Sequence, residues 1–291
     1  MNANSGVQPY LQPSVPQAFF RAGNFLLPIY EKTHVMGILN VTPDSFSDGG
    51  QFYSVPDAIA HALLLSSAGA DIIDVGGEST RPGHTPVPAE QEAERIIPVI
   101  RALAAKIHIP ISVDTWKASV AEGAMAAGAS IINDIWGARR DPDIAGVAAS
   151  TGAGFIMMFN AFDEQLVEKS GDIVADAVEY LTESIRIARK AGVADNQIMI
   201  DPGIGFGVST EESLCLIRAI PVFRDLGFPV LLGPSRKRFI GAVLNEPVEN
   251  RLTGTVAASC VAAVLGANVL RVHDVSEVVQ AVRMADAILS A

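Results

Sequence analysis

Asn40, Asp74, Asp114, Asn133, Asp201 and Arg271 share one position in the pattern of this chain: each closes a short apolar run and opens a polar stretch. Met158 and Gly233 close two further runs, and His273 lies two residues beyond Arg271. Carboxylates and carboxamides accept and donate paired hydrogen bonds, which suits a heterocycle rich in N–H donors. An Arg-x-His pair at a strand end points to one face and reads as an anion clamp. A second cationic stretch, Gly233-Pro234-Ser235-Arg236-Lys237-Arg238, opens a helical pattern. Helix N-termini carrying basic side chains favour anions. Gly76-Gly77-Glu78-Ser79-Thr80-Arg81-Pro82-Gly83 mixes glycine, hydroxyls and arginine, as anion-binding loops do. Unaided, these residues point to a transferase acting on a phosphorylated heterocycle. A lone Asp after a strand is more often a turn or helix cap, and Asp44, Asp57 and Asp71 read that way. The functional reading rests on recurrence at one point of a repeat.

That repeat also supplies the scaffold. Helical patterns end in glycine (Gly69, Gly128, Gly192, Gly266), a strand follows, and the strand ends in something polar. Strands are expected at about 34–39, 72–75, 111–113, 131–132, 154–158, 197–200, 230–233 and 269–272. Helices are expected at about 55–68, 88–104, 116–127, 142–150, 172–191, 210–226, 236–265 with a break near 245–250, and 275–289. Apolar strands without alternation belong to a parallel sheet buried on both faces. Eight such units favour a single (β/α)₈ TIM barrel, whose site residues gather at the C-terminal strand ends. A doubly wound open sheet is the runner-up and would place its site at one switch point. Residues 1–17 read as a disordered extension. Residues 18–291 read as one catalytic domain, opened by a hairpin that turns at Gly23-Asn24 and plugs the barrel bottom.

Composition narrows the function. The 291-residue chain has a formal net charge of −11, which argues against nucleic acid as a partner. Cys215 and Cys260 lie in apolar helical stretches and read as packed thiols. No long apolar span and no signal-peptide pattern occur, so a cytoplasmic protein away from membranes is expected. His34, His61, His84 and His108 are scattered and read as surface or packing residues. No zinc or iron set, Ser/His/Asp nucleophile elbow or Cys/His pair is visible, and the Gly203–Gly207 stretch lacks the context of a dinucleotide fingerprint.

Taken together, Met36–Gly50, Ile72–Gly83, Ile111-Ser112-Val113-Asp114-Thr115, Ile131-Ile132-Asn133-Asp134-Ile135, Asp201–Gly207, Ser235-Arg236-Lys237 and Arg271–Val275 resemble the dihydropteroate synthase family, in the family's order. The resemblance implies a barrel enzyme that joins 6-hydroxymethyl-7,8-dihydropterin diphosphate to 4-aminobenzoate, giving 7,8-dihydropteroate and diphosphate. It assigns the chemistry to Asn40, Thr80, Arg81, Lys237, Arg271 and His273. Asp114, Asn133, Asp201 and Lys237 would hold the pterin, with Met158 and Phe206 beside it. Thr80, Arg271 and His273 would bind the diphosphate. Phe46, Thr80, Pro82, Ser235 and Arg236 would take 4-aminobenzoate, with the carboxylate at Ser235 on a helix start. Asn40 would be the magnesium (Mg2+) contact, and residues 41–51 and 78–86 the closing loops. The family also implies a homodimer, for which Ala257, Ala258, Ala262 and Ala263 offer either an interface or packing against the barrel.

The resemblance leaves departures. Phe159-Asn160 follow Met158 where the family usually has His-Met, Trp116 stands where a small or polar residue is common, and Val208 stands where Lys often follows. These bear on loop detail and on the sulfonamide response, for which the ordinary loop motifs favour a sensitive enzyme. A pterin-binding methyltransferase domain would share Asp114, Asn133 and Asp201 but would not need the cations at Lys237 and Arg271. A non-catalytic pterin-binding barrel should have lost one of Asn40, Arg81, Lys237 or Arg271, and all four are present.

Overall fold

The computed structural model describes residues 19–42, 54–79, 86–162 and 170–291. Phe46, Thr80, Arg81, Pro82, Asp44, His84, the extension 1–17 and most of the two closing loops lie outside the described residues.

A hairpin comes first, β1 (Phe20–Ala22) and β2 (Phe25–Leu27), paired antiparallel about Gly23. The alternation then runs β3 (His34–Asn40), α1 (Val55–Ser67), β4 (Ile72–Gly76), α2 (Ala89–Ala104), β5 (Ile111–Asp114) and α3 (Ala118–Ala127). It continues with β6 (Ile131–Asp134), α4 (Ile144–Thr151), β7 (Gly154–Met158), α5 (Ile173–Ala191) and β8 (Ile198–Asp201). The last part holds α6 (Thr210–Arg218), α7 (Ile220–Arg224), β9 (Leu231–Leu232), α8 (Arg238–Leu244), α9 (Leu252–Leu265), β10 (Val269–Val272) and α10 (Val275–Leu289).

Strands β3 to β10 pair in parallel in the order β8-β7-β6-β5-β4-β3-β10-β9. A parallel bridge from Ile200 to Val230 joins the two ends, closing a (β/α)₈ barrel. The open-sheet alternative is thereby excluded. Helices α3, α5 and α9 end on Gly128, Gly192 and Gly266 in the left-handed region, as the glycine rhythm implied; α4 ends likewise on Gly152, and α1 is capped by Ala68 with Gly69 one residue beyond.

The period of two along each strand sorts the barrel interior into layers. Met36, Ile72, Ile131, Ile156, Met199, Leu231 and Val269 form the lower apolar layer, and Phe20, Ala22, Leu27 and Ile29 of the hairpin segment cover it. Burying side chains such as Phe20 and Ile29 stabilises the plug by about 1.5–3 kcal/mol each. At Gly154 an added Cβ would lie 2.6 Å from the Phe20 ring, so β7 passes the plug only as glycine. The remaining core lies between sheet and helices, built from residues such as Val35, Leu39, Ile73, Val113, Phe155 and Ile200.

Several local expectations change. The expected helix at 210–226 is two helices, α6 and α7, because Pro221 cannot donate a helical hydrogen bond. The helix expected from 236 starts at Arg238, because Arg236 holds φ 56, outside helical space. Asp71 is no cap: it accepts from the Val35 amide at 2.9 Å and pairs with Lys32, tying β4 to β3 at the bottom. Asp57 does belong to a cap, as the residue whose amide donates to Ser54 Oγ at the start of α1. The alanines of α9 divide, with Ala262 and Ala263 in the core and Ala257 exposed. His34 is a packing residue, its Nε2 3.2 Å from the Pro28 carbonyl.

Candidate functional site

Two residues above each member of the lower layer the lining turns polar. Those positions are Ile38, Asp74, Asn133, Met158, Asp201, Gly233 and Arg271, with Asp114 beside them at the end of β5. An apolar layer followed one step up by three carboxylates, a carboxamide and an arginine gives the barrel a dry floor under a charged mouth. Arg271 reaches across it. Its Nε donates to Asp74 Oδ2 at 2.6 Å, and a terminal nitrogen donates to Asp114 Oδ2 at 2.6 Å. Asn133 Nδ2 donates to the same Asp74 oxygen at 3.2 Å. Burial raises the Asp114 carboxyl against the pull of Arg271, and the charges of Asp74, Glu92 and Asp134 raise it further, to about 7. The paired carboxylates hold Arg271 well above its ordinary value against the cost of burial, so the guanidinium stays charged.

Asp201, Lys237 and Phe206 form a second group. Lys237 Nζ lies 4.4 Å from the centre of the Phe206 ring and donates to the Ile204 carbonyl. Gly205 makes room for it: an added Cβ would sit 2.9 Å from Lys237 Cδ. Gly203 is held more tightly still, with φ 72 and the Phe159 carbonyl oxygen 1.8 Å from where a Cβ would be. Asp201 accepts from the Gly203 amide at 2.7 Å, which fixes one oxygen of its carboxylate against the turn. Burial lowers Lys237 to about 8 although Asp201 pulls it up, and burial raises Asp201 although Lys237 pulls it down. The Gly-x-Gly-x-Gly stretch is thus a cradle for a lysine and a carboxylate, and carries no dinucleotide geometry.

Ser235 and His273 meet at the third corner. Ser235 Oγ lies 2.9 Å from His273 Nδ1 and accepts from the His273 amide at 3.2 Å. The expectation that Ser235 sits on a helix start needs correcting. Lys237 occupies the N-cap position of α8, and Ser235 lies before it on the bend made by Arg236. Arg236 turns to Asp274, donating from Nε at 3.0 Å, and its amide donates to Thr255 Oγ1 at 3.0 Å. These contacts offset the left-handed conformation at Arg236.

Asn40 ends β3 beside Gly76, and a Cβ on Gly76 would lie 3.8 Å from Asn40 Oδ1 and 3.7 Å from Asp114 Oδ2. Asp114 Oδ2 already accepts from Arg271, so the Asn40 carboxamide oxygen is the hard donor here that suits a cation such as magnesium. Among the described residues no group of three or more His, Cys, Asp or Glu side chains could hold a metal.

The strand-end reading named Asn40, Asp74, Asp114, Asn133, Met158, Asp201, Gly233 and Arg271, with His273, and these lie at the C-terminal ends of the barrel strands; Ser235 and Lys237 of the loop motif and Phe206 of the family resemblance lie on the loops beside them. It did not find the Lys117 cluster, in which Lys117 pairs with Glu78 and the buried Glu92 at the root of the β4–α2 loop. A lysine three residues past Asp114 was the available signal. The departures also find their place. Phe159 faces away from the mouth and packs its ring edge on Tyr180 at 5.4 Å, while Asn160 pins the loop through the Ile135 carbonyl at 3.1 Å. Arg140 stacks between Trp116 and Trp136 at 4.7 and 4.3 Å. Val208 packs on the core. Among the described residues, no helix is long and apolar enough to cross a membrane.

Comparison with known proteins follows the same residues. The family described as pterin binding enzyme matches residues 36–273. A dihydropteroate synthase of Bacillus subtilis is 48% identical over 260 residues, covering 89% of this chain and 90% of its own. The solved structure of Xanthomonas albilineans dihydropteroate synthase with 4-aminobenzoic acid superposes with a TM-score of 0.87 at 43% identity, covering 94% and 99% of the two chains. That of the Yersinia pestis enzyme in complex with a sulfonamide drug has a TM-score of 0.87 at 38% identity, covering 94% and 100%.

Proposed function

The chain belongs to the dihydropteroate synthase family of pterin-binding enzymes, and from that membership we propose how its barrel mouth is divided between two substrates and a metal. The reaction joins 6-hydroxymethyl-7,8-dihydropterin diphosphate to 4-aminobenzoate and releases diphosphate. One observation carries the division: Asp201 and Lys237 are both tied to the Gly203–Gly207 turn, Asp201 through the Gly203 amide and Lys237 through the Ile204 carbonyl and the Phe206 ring. A carboxylate accepts paired N–H bonds from an aminopyrimidinone edge, and an ammonium donates to its carbonyl oxygen. Asp114 and Asn133 complete the pterin set, with Met158 and Phe206 against the ring faces.

Arg271 spends two of its five N–H donors on Asp74 and Asp114, which leaves donors for diphosphate. His273 and Thr80 share that anion. Positive charge placed where the diphosphate gathers negative charge stabilises its departure. The carbon–oxygen bond breaks, the electron-rich pterin ring shares the positive character at the exocyclic methylene, and the amine of 4-aminobenzoate attacks that carbon. No enzyme nucleophile is required. Ser235 and Arg236, with Phe46, Thr80 and Pro82, receive 4-aminobenzoate. Sulfonamides compete with it there, in keeping with the drug complex of the Yersinia relative. Magnesium at Asn40 supplies further neutralisation of the leaving diphosphate when bound, and Arg81 acts from the second closing loop. A cytoplasmic location is part of this reading. Two copies pair through the apolar face that Val261, Val264, Met284 and Ile288 present on α9 and α10, where Ile288 is 69% exposed.

Calorimetric titration with 6-hydroxymethylpterin tests the division. Wild type binds, and Asp201→Asn loses about 10- to 100-fold in affinity, the scale of a hydrogen bond to a charged group. Asp57→Asn, at the start of α1, leaves binding unchanged. Equal, small effects of both substitutions would sink the assignment.

A further inference from the structure

Asp74 is the most deeply buried carboxylate of the mouth, with no exposed surface, and it lies one layer above the apolar floor. It shares its layer with Asn133, Asp201 and Arg271, and nothing in the reaction requires it to touch substrate. Its hydrogen bonds are nonetheless to two groups that do. Oδ2 accepts from Arg271 Nε at 2.6 Å and from Asn133 Nδ2 at 3.2 Å, while Oδ1 has no hydrogen-bond partner among the described residues. A buried carboxylate without a cation is costly, and Arg271 meets that need.

Two consequences follow from the chemistry of the acceptor. An ionised carboxylate only accepts, so the Asn133 end that faces it must be the amide Nδ2, and the carbonyl Oδ1 must be turned away. The Arg271 fork is likewise held by Nε, its inner edge, which sets the plane of the guanidinium. A single carboxylate therefore fixes the acceptor of one subsite and the donor plane of the other.

We propose that Asp74 is the positioning residue of this active site, orienting Asn133 towards the pterin and Arg271 towards the diphosphate of the same substrate molecule. This rests on the roles proposed above for Asn133 and Arg271. It makes Asp74 specific to the pterin diphosphate and indifferent to 4-aminobenzoate, which no residue in the Asp74 network meets. Replacing it by asparagine keeps the shape, removes the charge that holds Arg271, and lets either end of the new amide face Asn133. Arg271 then leans on Asp114 alone.

Steady-state kinetics of Asp74→Asn, with each substrate varied in turn, read this directly. The expected result is a fall of up to about 100-fold in kcat/KM for the pterin diphosphate, the cost of small misplacements in a reacting geometry. The KM for 4-aminobenzoate stays at the wild-type value. A folded Asp74→Asn enzyme with unchanged kinetics, or one losing equally on both substrates, would overturn the proposal. Should the variant not fold, a crystal structure of the wild-type enzyme with 6-hydroxymethylpterin decides. Asp74 holding Arg271 Nε and Asn133 Nδ2, with Asn133 Oδ1 towards the pterin, supports it. Arg271 off Asp74, or the amide turned round, overturns it. Asn133→Ala separates the two layers of inference. If that variant binds 6-hydroxymethylpterin like wild type, the pterin role of Asn133 fails, and the Asp74 proposal falls with it. If Asn133→Ala binds weakly while Asp74→Asn behaves as wild type, only the Asp74 proposal fails.

Discussion

Lys237 lays its ammonium over the Phe206 ring, 4.4 Å from the centre, so the turn after β8 and the start of α8 meet in one cation. Removing the charge while keeping the stem, as in Lys237→Met, should raise the KM for pterin diphosphate by about 10- to 100-fold, the scale of a hydrogen bond to a charged group. The pH dependence follows from burial, which brings Lys237 down to about 8. The ammonium is present below that value and is lost above it. The kcat/KM for pterin diphosphate, which reports the free enzyme, should therefore fall as pH rises through about 8. A profile flat to pH 9 would separate Lys237 from pterin capture.

Ser235 shares its hydroxyl with His273, at 2.9 Å from Nδ1. If the same hydroxyl meets the carboxylate of 4-aminobenzoate, Ser235→Ala raises the KM for that substrate by about tenfold or more, as for other hydrogen bonds to charged groups. Initial rates at saturating pterin diphosphate check this. An unchanged KM with a lower kcat would assign Ser235 to His273 alone.

Asn40 closes β3 with its carboxamide oxygen beside Gly76. Asn40→Ala should raise the magnesium concentration for half-maximal rate by about 10- to 100-fold, the scale on which lost support weakens metal affinity. Chelation of the wild type should stop turnover, and added magnesium should restore it. Equal magnesium dependence in both proteins would remove Asn40 from the metal.

Asp71 is a stability residue at the opposite end of the barrel. Burial pushes its carboxyl up, but hydrogen bonds from Lys32 and the Val35 amide, with the His34 imidazole nearby, pull it down to about 2. A depressed carboxyl stabilises the fold above its unfolded value near 3.8, and that contribution is lost as pH falls towards about 2. Asp71→Asn should cost about 1–2 kcal/mol at neutral pH, allowing for partial exposure. Denaturant melts at pH 7 and pH 3 check it, with a smaller difference between the two proteins at pH 3. Activity per folded molecule should not change.

Much of this architecture was legible in the sequence because parallel strands and their helices repeat. Apolar runs that stop at Asp114, Asn133, Asp201 and Arg271 marked strand ends, and the glycines marked helix ends. What escaped depends on contacts between residues far apart in the chain. Asp71 looked like any turn aspartate until β3 came beside it. Arg236 looked helical until its amide met Thr255 and its guanidinium met Asp274. The Lys117 cluster joins three elements, and only the fold brings Glu78 and Glu92 to one lysine. Phe159 follows the mouth residue Met158 directly, and the alternation of the strand turns it outwards onto Tyr180.

The most direct measurement is the stoichiometry of turnover. Purified protein with magnesium, 6-hydroxymethyl-7,8-dihydropterin diphosphate and 4-aminobenzoate should release one diphosphate for each 7,8-dihydropteroate formed, and omission of 4-aminobenzoate should stop product formation. No diphosphate release above the enzyme-free background would contradict the assignment of this barrel as a synthase.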